Sequence, residues 1–299
     1  MQDLFPGFQS HWIDTPSGRI FARSAGEGPP VLLLHGFPQT HACWHRIAPA
    51  LARTHHVVAM DLRGYGWSSA PRGDARHETY SKRGMGEDAV AVMERLGHVQ
   101  FALVGHDRGA RVAYRLALDE PGRVSRLALL DILPTVHVWS QIRSGAIPGA
   151  HWAFLSQPQP IPETEIGRDP IPYFEGLLAL WSADGSLKAF NPAALHAYRD
   201  GFNEPTRIHA FCEDYRAGAT RDIEADEADL AAGRHIQCPT LVAWGSFYLT
   251  GKSPETPLDV WRRTFAPRAS GALIPESGHF VMEENPPAVL AALEPFLAG

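Results

Sequence analysis

Gly105-His106-Asp107-Arg108-Gly109 sets a carboxylate between two glycines, directly after the apolar run Phe101–Val104 and before Ala110–Ala117, which has a helical pattern. A small-x-nucleophile-x-small motif between strand and helix marks a nucleophile elbow, where glycines let the two elements approach closely. Serine at the centre attacks acyl carbon. A carboxylate suits displacement of a leaving group from sp3 carbon, and the resulting alkyl ester must then be cleaved by water. Asp is also a good helix cap, so Asp107 needs partners before it reads as a nucleophile.

The sequence offers them. Glu276-Ser277-Gly278-His279-Phe280 follows a late strand candidate, where an elbow-type hydrolase places its histidine. His279 is then the general base for the water that attacks the ester. An acid must orient that imidazole and stabilise its cation. Asp131 ends the strand after the elbow, whereas Trp244-Gly245-Ser246-Phe247-Tyr248, at the next strand end, has no carboxylate before Glu255. Asp131 is therefore the acid. His35-Gly36-Phe37-Pro38 fits an oxyanion loop, with the backbone N–H groups of Phe37 and Arg108 facing the oxyanion. Arg108 and Arg111, one and four residues past the nucleophile, form a guanidinium fork for a planar anion at a helix N-terminus. A carboxylate held there would set its alpha carbon next to Asp107.

Positioning these groups takes a sheet. A hairpin is expected from Ser10–Asp14, a Pro16-Ser17-Gly18 turn and Arg19–Arg23. Short apolar strands follow at Val31–Leu34, Val57–Met60, Phe101–Val104, Leu127–Leu130, Thr240–Trp244 and Ala272–Ile274, with helical patterns between. Continuous apolar strands predict burial on both faces, as in a parallel sheet covered by helices. The expected fold is an α/β, mostly parallel, doubly wound sheet with the site at the carboxyl ends of its strands. The proline- and aromatic-rich stretch 133–235 breaks the alternation and is too long for a βα loop. It reads as a helical cap inserted into a core of 1–132 and 236–299.

Composition narrows the function. A net charge of −6 with no Lys/Arg run argues against nucleic acid and anionic membrane as partners. The N-terminus shows no signal-peptide pattern and no apolar run of spanning length appears, so a cytoplasmic protein is expected. Three widely spaced cysteines suggest neither disulfides nor zinc. Fifteen histidines invite a metal hypothesis, but the His41/His45 pair lacks the Glu of a His-Glu-x-x-His motif. No metal and no cofactor is expected.

Beyond these local readings, the Asp elbow Gly-His-Asp-Arg-Gly-Ala-Arg occurs with His-Gly-Phe-Pro-Gln-Thr, Leu-Asp-Ile-Leu-Pro-Thr, His-Trp-x-Phe-Leu-x-Gln-Pro and Cys-Glu-Asp-Tyr-Arg-Ala-Gly. Together they resemble the fluoroacetate dehalogenase family over nearly the whole chain. The resemblance implies an α/β-hydrolase fold with a helical cap and hydrolysis of 2-halocarboxylates such as haloacetates to glycolate-type products. It implies Asp107 as nucleophile, Asp131 as acid, His279 as base and Arg108 with Arg111 as the carboxylate clamp. It further implies that His151, Trp152 and Tyr215 donate to the departing halide, that Trp181 lines the pocket and that the protein is a homodimer. The likeness is weakest at 136–149 and 246–256, which could border the pocket. Epoxide hydrolases and haloalkane dehalogenases share the Asp elbow but usually carry Trp after the nucleophile, where Arg108 stands here. A small-acid receptor on the same fold would not need Asp107, Asp131 and His279 together.

Overall fold

Strands form where apolar runs are bounded by turn residues. The computed structural model describes residues 3–249 and 255–299. β1 (Gln9–Thr15) and β2 (Gly18–Ala25) make the antiparallel hairpin. Its turn is one residue shorter than expected, because Gly18 takes φ +127° and pairs with Thr15. β3 (Pro30–Leu34), β4 (His56–Met60), β5 (Phe101–His106), β6 (Val124–Leu130), β7 (Thr240–Gly245) and β8 (Ser270–Ile274) complete an eight-stranded sheet in the order β1-β2-β4-β3-β5-β6-β7-β8. β2 meets β4 antiparallel, and every pairing from β4 to β8 is parallel.

The central strands behave as their apolar runs predict, with β5 and β7 buried at every position. β8 does not. It closes the sheet edge with one neighbour only, so Ser270, Gly271 and Leu273 are exposed. An edge strand has no second strand to cover its outer side.

α1 (Ala48–Leu51), α2 (Lys82–Arg95) and α3 (Asp107–Asp119) fall between strands of the core. α2 buries Met85, Ala89, Val92 and Met93, the positions with helical spacing, and ends at Gly97 with φ +87°. Between β6 and β7 come seven helices: α4 (Thr135–Arg143), α5 (Ala150–Leu155), α6 (Ile161–Gly167), α7 (Pro170–Trp181), α8 (Pro192–Phe202), α9 (Pro205–Ala219) and α10 (Arg221–Ala231). Proline abundance here does not oppose helix. α6, α7, α8 and α9 each carry Pro in the first two positions, where its missing N–H costs no intrahelical bond. α11 (Pro257–Arg263), α12 (Val281–Glu284) and α13 (Pro286–Ala298) finish the chain. Among the described residues, no helix is long and apolar enough to cross a membrane.

The β5–α3 turn is tight because two glycines make it possible. A Cβ on Gly105 would lie 2.5 Å from Ala110 Cα, and one on Gly109 would lie 2.3 Å from the His35 carbonyl oxygen. Both neighbours are backbone and cannot move aside. Gly109→Ala should therefore cost roughly 3 kcal/mol or more of stability, as expected for overpacking against a fixed backbone. A chemical denaturation midpoint unchanged from wild type would contradict this.

Candidate active site

Asp107 is the first residue of α3 and takes φ +43°, a left-handed conformation that costs a non-glycine residue on the order of 1–3 kcal/mol. That conformation stands the carboxylate at the carboxyl end of the sheet. Gly36 lets the next strand's loop close over it, since a Cβ there would sit 2.5 Å from Asp107 Cβ. Phe37 N then donates to Asp107 Oδ2 at 3.0 Å. Burial pushes the Asp107 carboxyl up, but His279, Arg111 and His106 outweigh it and hold the group well below the usual carboxylate range. It is an anion at any working pH.

Asp131 ends β6, also at positive φ (+52°). Gly245 N donates to its Oδ1 at 2.9 Å, and its Oδ2 lies 2.6 Å from His279 Nδ1. The opposite ring nitrogen, Nε2, is 4.0 Å from Asp107 Oδ1. The imidazole is held from behind as well: His279 N donates to Trp181 O at 2.8 Å, and His106 Nε2 lies 2.8 Å from His279 O. Burial works against the imidazolium, yet the two flanking carboxylates raise His279 to about 9. The Asp107–His279–Asp131 line predicted from separate strand ends is thus brought together.

The two arginines are not alike. Both are buried. Arg108 Nε donates to Asp214 Oδ1 at 2.9 Å and Nη2 to Asp214 O at 2.7 Å, with a second contact from Nη2 to Oδ1. The expected open fork is therefore half occupied by an acid of α9 to which no role was assigned from the sequence. Arg111 Nη1 donates to Leu133 O at 3.1 Å and Thr135 Oγ1 at 2.9 Å, both neutral, and Arg111 forms no ion pair among the described residues. Its Nε is buried without a partner.

Three rings of the inserted helices gather over these groups. His151 and Trp152 from α5 and Tyr215 from α9 lie with ring centroids 5.8–6.2 Å apart. Burial drives His151 down to about 3, so it is a neutral imidazole with one N–H to donate. Trp181 packs beside it, tilted at 4.6 Å from His151 and edge-on at 5.7 Å from His279. Phe37 packs edge-on against Tyr215 at 5.3 Å.

Tyr248, which the sequence showed only as part of a strand end without a carboxylate, has its ring 4.5 Å from His279. It belongs to the 246–256 stretch, of which residues 250–254 lie outside the described residues. Asp214 carried a signal, since it adjoins Tyr215 within Cys-Glu-Asp-Tyr-Arg-Ala-Gly. His41 and His45 turn to separate partners, the Asp61 carboxylate and the Ala42 carbonyl.

Comparison with known proteins matches residues 29–286 to the model of the alpha/beta hydrolase fold. The chain belongs to that family. Within it, this hydrolase is 44% identical to a fluoroacetate dehalogenase from a Burkholderia species, over 99% of this chain and 95% of that relative. This places it in the fluoroacetate dehalogenase family. A soluble epoxide hydrolase from Corynebacterium is more distant, at 29% identity over 99% of this chain and 96% of the relative. A mutant protein from Pseudomonas aeruginosa, solved with bound MFA, superposes with a TM-score of 0.92 at 43% identity, covering 99% of this chain and 98% of that chain.

Proposed function

We propose that this protein hydrolyses the carbon–halogen bond of small 2-halocarboxylic acids, haloacetates foremost, through an ester on Asp107. One observation carries the reading. A strained, ionised Asp107 faces the His279–Asp131 pair, while Arg111, one helical turn further on, is buried without an ion-pair partner among the described residues. A buried cation without a counter-ion is unfavourable, and an anionic substrate relieves it.

The substrate carboxylate binds at Arg111 with Arg108 alongside. That fixes the alpha carbon against the Asp107 carboxylate, which attacks it as the carbon–halogen bond breaks and the halide leaves with the bonding pair. The N–H and O–H groups of His151, Trp152 and Tyr215 receive the halide. Such donors matter most for fluoride, a small anion that is poorly displaced without them. Water then attacks the Asp107 ester carbonyl, giving up its proton to His279 Nε2. The oxyanion that forms there stays on the Phe37 N–H that already holds Oδ2. Collapse releases the 2-hydroxy acid and restores Asp107.

Halide release from fluoro-, chloro- and bromoacetate, measured beside 1-chlorobutane and styrene oxide, tests this reading. The haloacetates should be turned over, and the two neutral compounds should react at least about a hundredfold more slowly, since neither can use the buried guanidiniums. Faster opening of styrene oxide than of any haloacetate would make the protein an epoxide hydrolase instead.

A further inference from the structure

We propose that Asp214 is a positioning residue for the carboxylate site: it fixes the plane of Arg108 and cancels its charge, leaving Arg111 to supply the charge that a carboxylate meets. The inference rests on the carboxylate-binding part of the function proposed above.

Asp214 and Arg108 are both fully buried, on α9 and α3 respectively. Arg108 spends Nε and Nη2 on the side chain and main chain of Asp214, and its Nη1 alone is buried without a partner. The same turn of α9 closes over the guanidinium. The Tyr215 ring lies 4.3 Å from Arg108 Cζ, and Gly218 leaves the space that a Cβ would take 3.0 Å from Nη2. The planar group is thereby gripped along one edge and one face.

The charges balance locally. Asp214 Oδ2 accepts from Tyr65 Oη at 2.8 Å, and Oδ1 also receives Lys82 Nζ, itself 3.6 Å from Asp222. Two buried cations, Arg108 and Lys82, thus face two buried carboxylates. Among the described residues Arg111 hydrogen-bonds only to neutral oxygens and lies 4.5 Å over the Trp152 ring, and the carboxylate that acts on it, Asp107, is shared with His279. Arg108 therefore contributes direction and Arg111 contributes charge. Among the described residues, Arg108 Nη1 and, on Arg111, Nε and Nη2 keep no protein hydrogen bond, so both guanidiniums have donors left for a carboxylate.

Acetate, a carboxylate without a leaving group, is the probe. Its binding is measured by calorimetry for wild type, Asp214→Asn, Arg108→Met and the double variant, with halide release from chloroacetate followed in parallel. Loss of the grip should outweigh the positive charge that Asp214→Asn uncovers, so each single variant should weaken acetate binding by about tenfold, and the double variant should be no weaker than the worse single. Asp214→Asn removes a counter-charge from Lys82 and can fail to fold. Gly218→Ala keeps every charge, and its helix gain offsets the cost of pushing Arg108 Nη2 aside, so its thermal midpoint should stay near that of wild type while acetate binding weakens, a split that a purely structural role would not produce. Losses that add in the double variant, or a Gly218→Ala protein with wild-type acetate affinity, overturn the proposal. Non-additive losses without halide release keep the positioning role and reject dehalogenation. Halide release with additive losses does the reverse, and a wild type that ignores acetate overturns both.

Discussion

Mixed with chloroacetate or fluoroacetate, the His279→Asn variant should release one halide per site and stop with a carboxymethyl ester on Asp107. Asparagine at 279 keeps a polar side chain beside Asp131 but has no basic nitrogen for the attacking water. The displacement step does not need that base, because Arg111 and the Phe37 N–H still favour the Asp107 carboxylate when His279 is gone. Only hydrolysis of the ester suffers, by about 100- to 10,000-fold, the usual worth of a positioned general base. Intact-mass spectrometry should show the adduct, and peptide mapping should place it on Asp107. An unmodified protein that still binds substrate would sink the two-step scheme.

Replacing Arg111 by glutamine is the second change with a large expected effect. The fold should tolerate it, because among the described residues Arg111 meets only the oxygens of Leu133 and Thr135 and the Trp152 ring, and its loss strands no ion-paired acid. Arg108 could not be removed so cleanly, since Asp214 would be left with Lys82 alone, which Asp222 shares. With the charge gone, a substrate carboxylate entering the site would be buried without adequate compensation. A penalty of about 3–4 kcal/mol follows, or between a hundredfold and a thousandfold in kcat/KM, carried mainly by KM. Steady-state kinetics on chloroacetate decides it. A kcat/KM within threefold of wild type would show that the substrate carboxylate lies elsewhere.

What could be read from the sequence follows from how local each signal is. The elbow was legible because Gly105, Asp107, Gly109 and the flanking strand and helix are contiguous. Asp131 and His279 could be placed because each directly follows a strand, and parallel pairing brings those strand ends to one side of the sheet. The grip of Asp214 on Arg108 spans 106 residues and two separate elements, and no spacing rule joins them. Arg108 accordingly read as an open half of a fork. Tyr248 was missed for a similar reason: it reaches His279 from an irregular segment, where periodicity carries no information. The exposed face of β8 depends on strand order, which the apolar content of Ala272–Ile274 does not encode.

The two carboxylates flanking His279 also give the reaction a clock. In the resting protein they keep the imidazole protonated, with a value near 9, so it cannot accept a proton at neutral pH. Esterification of Asp107 erases one of those negative charges. With that support withdrawn, burial pulls the His279 value downward against Asp131 alone, which favours release of the ring proton to solvent. The base thus comes into being only once there is an ester for it to serve. Until then no hydroxide-like water is generated beside an empty site, and Asp107 is left alone to act on carbon.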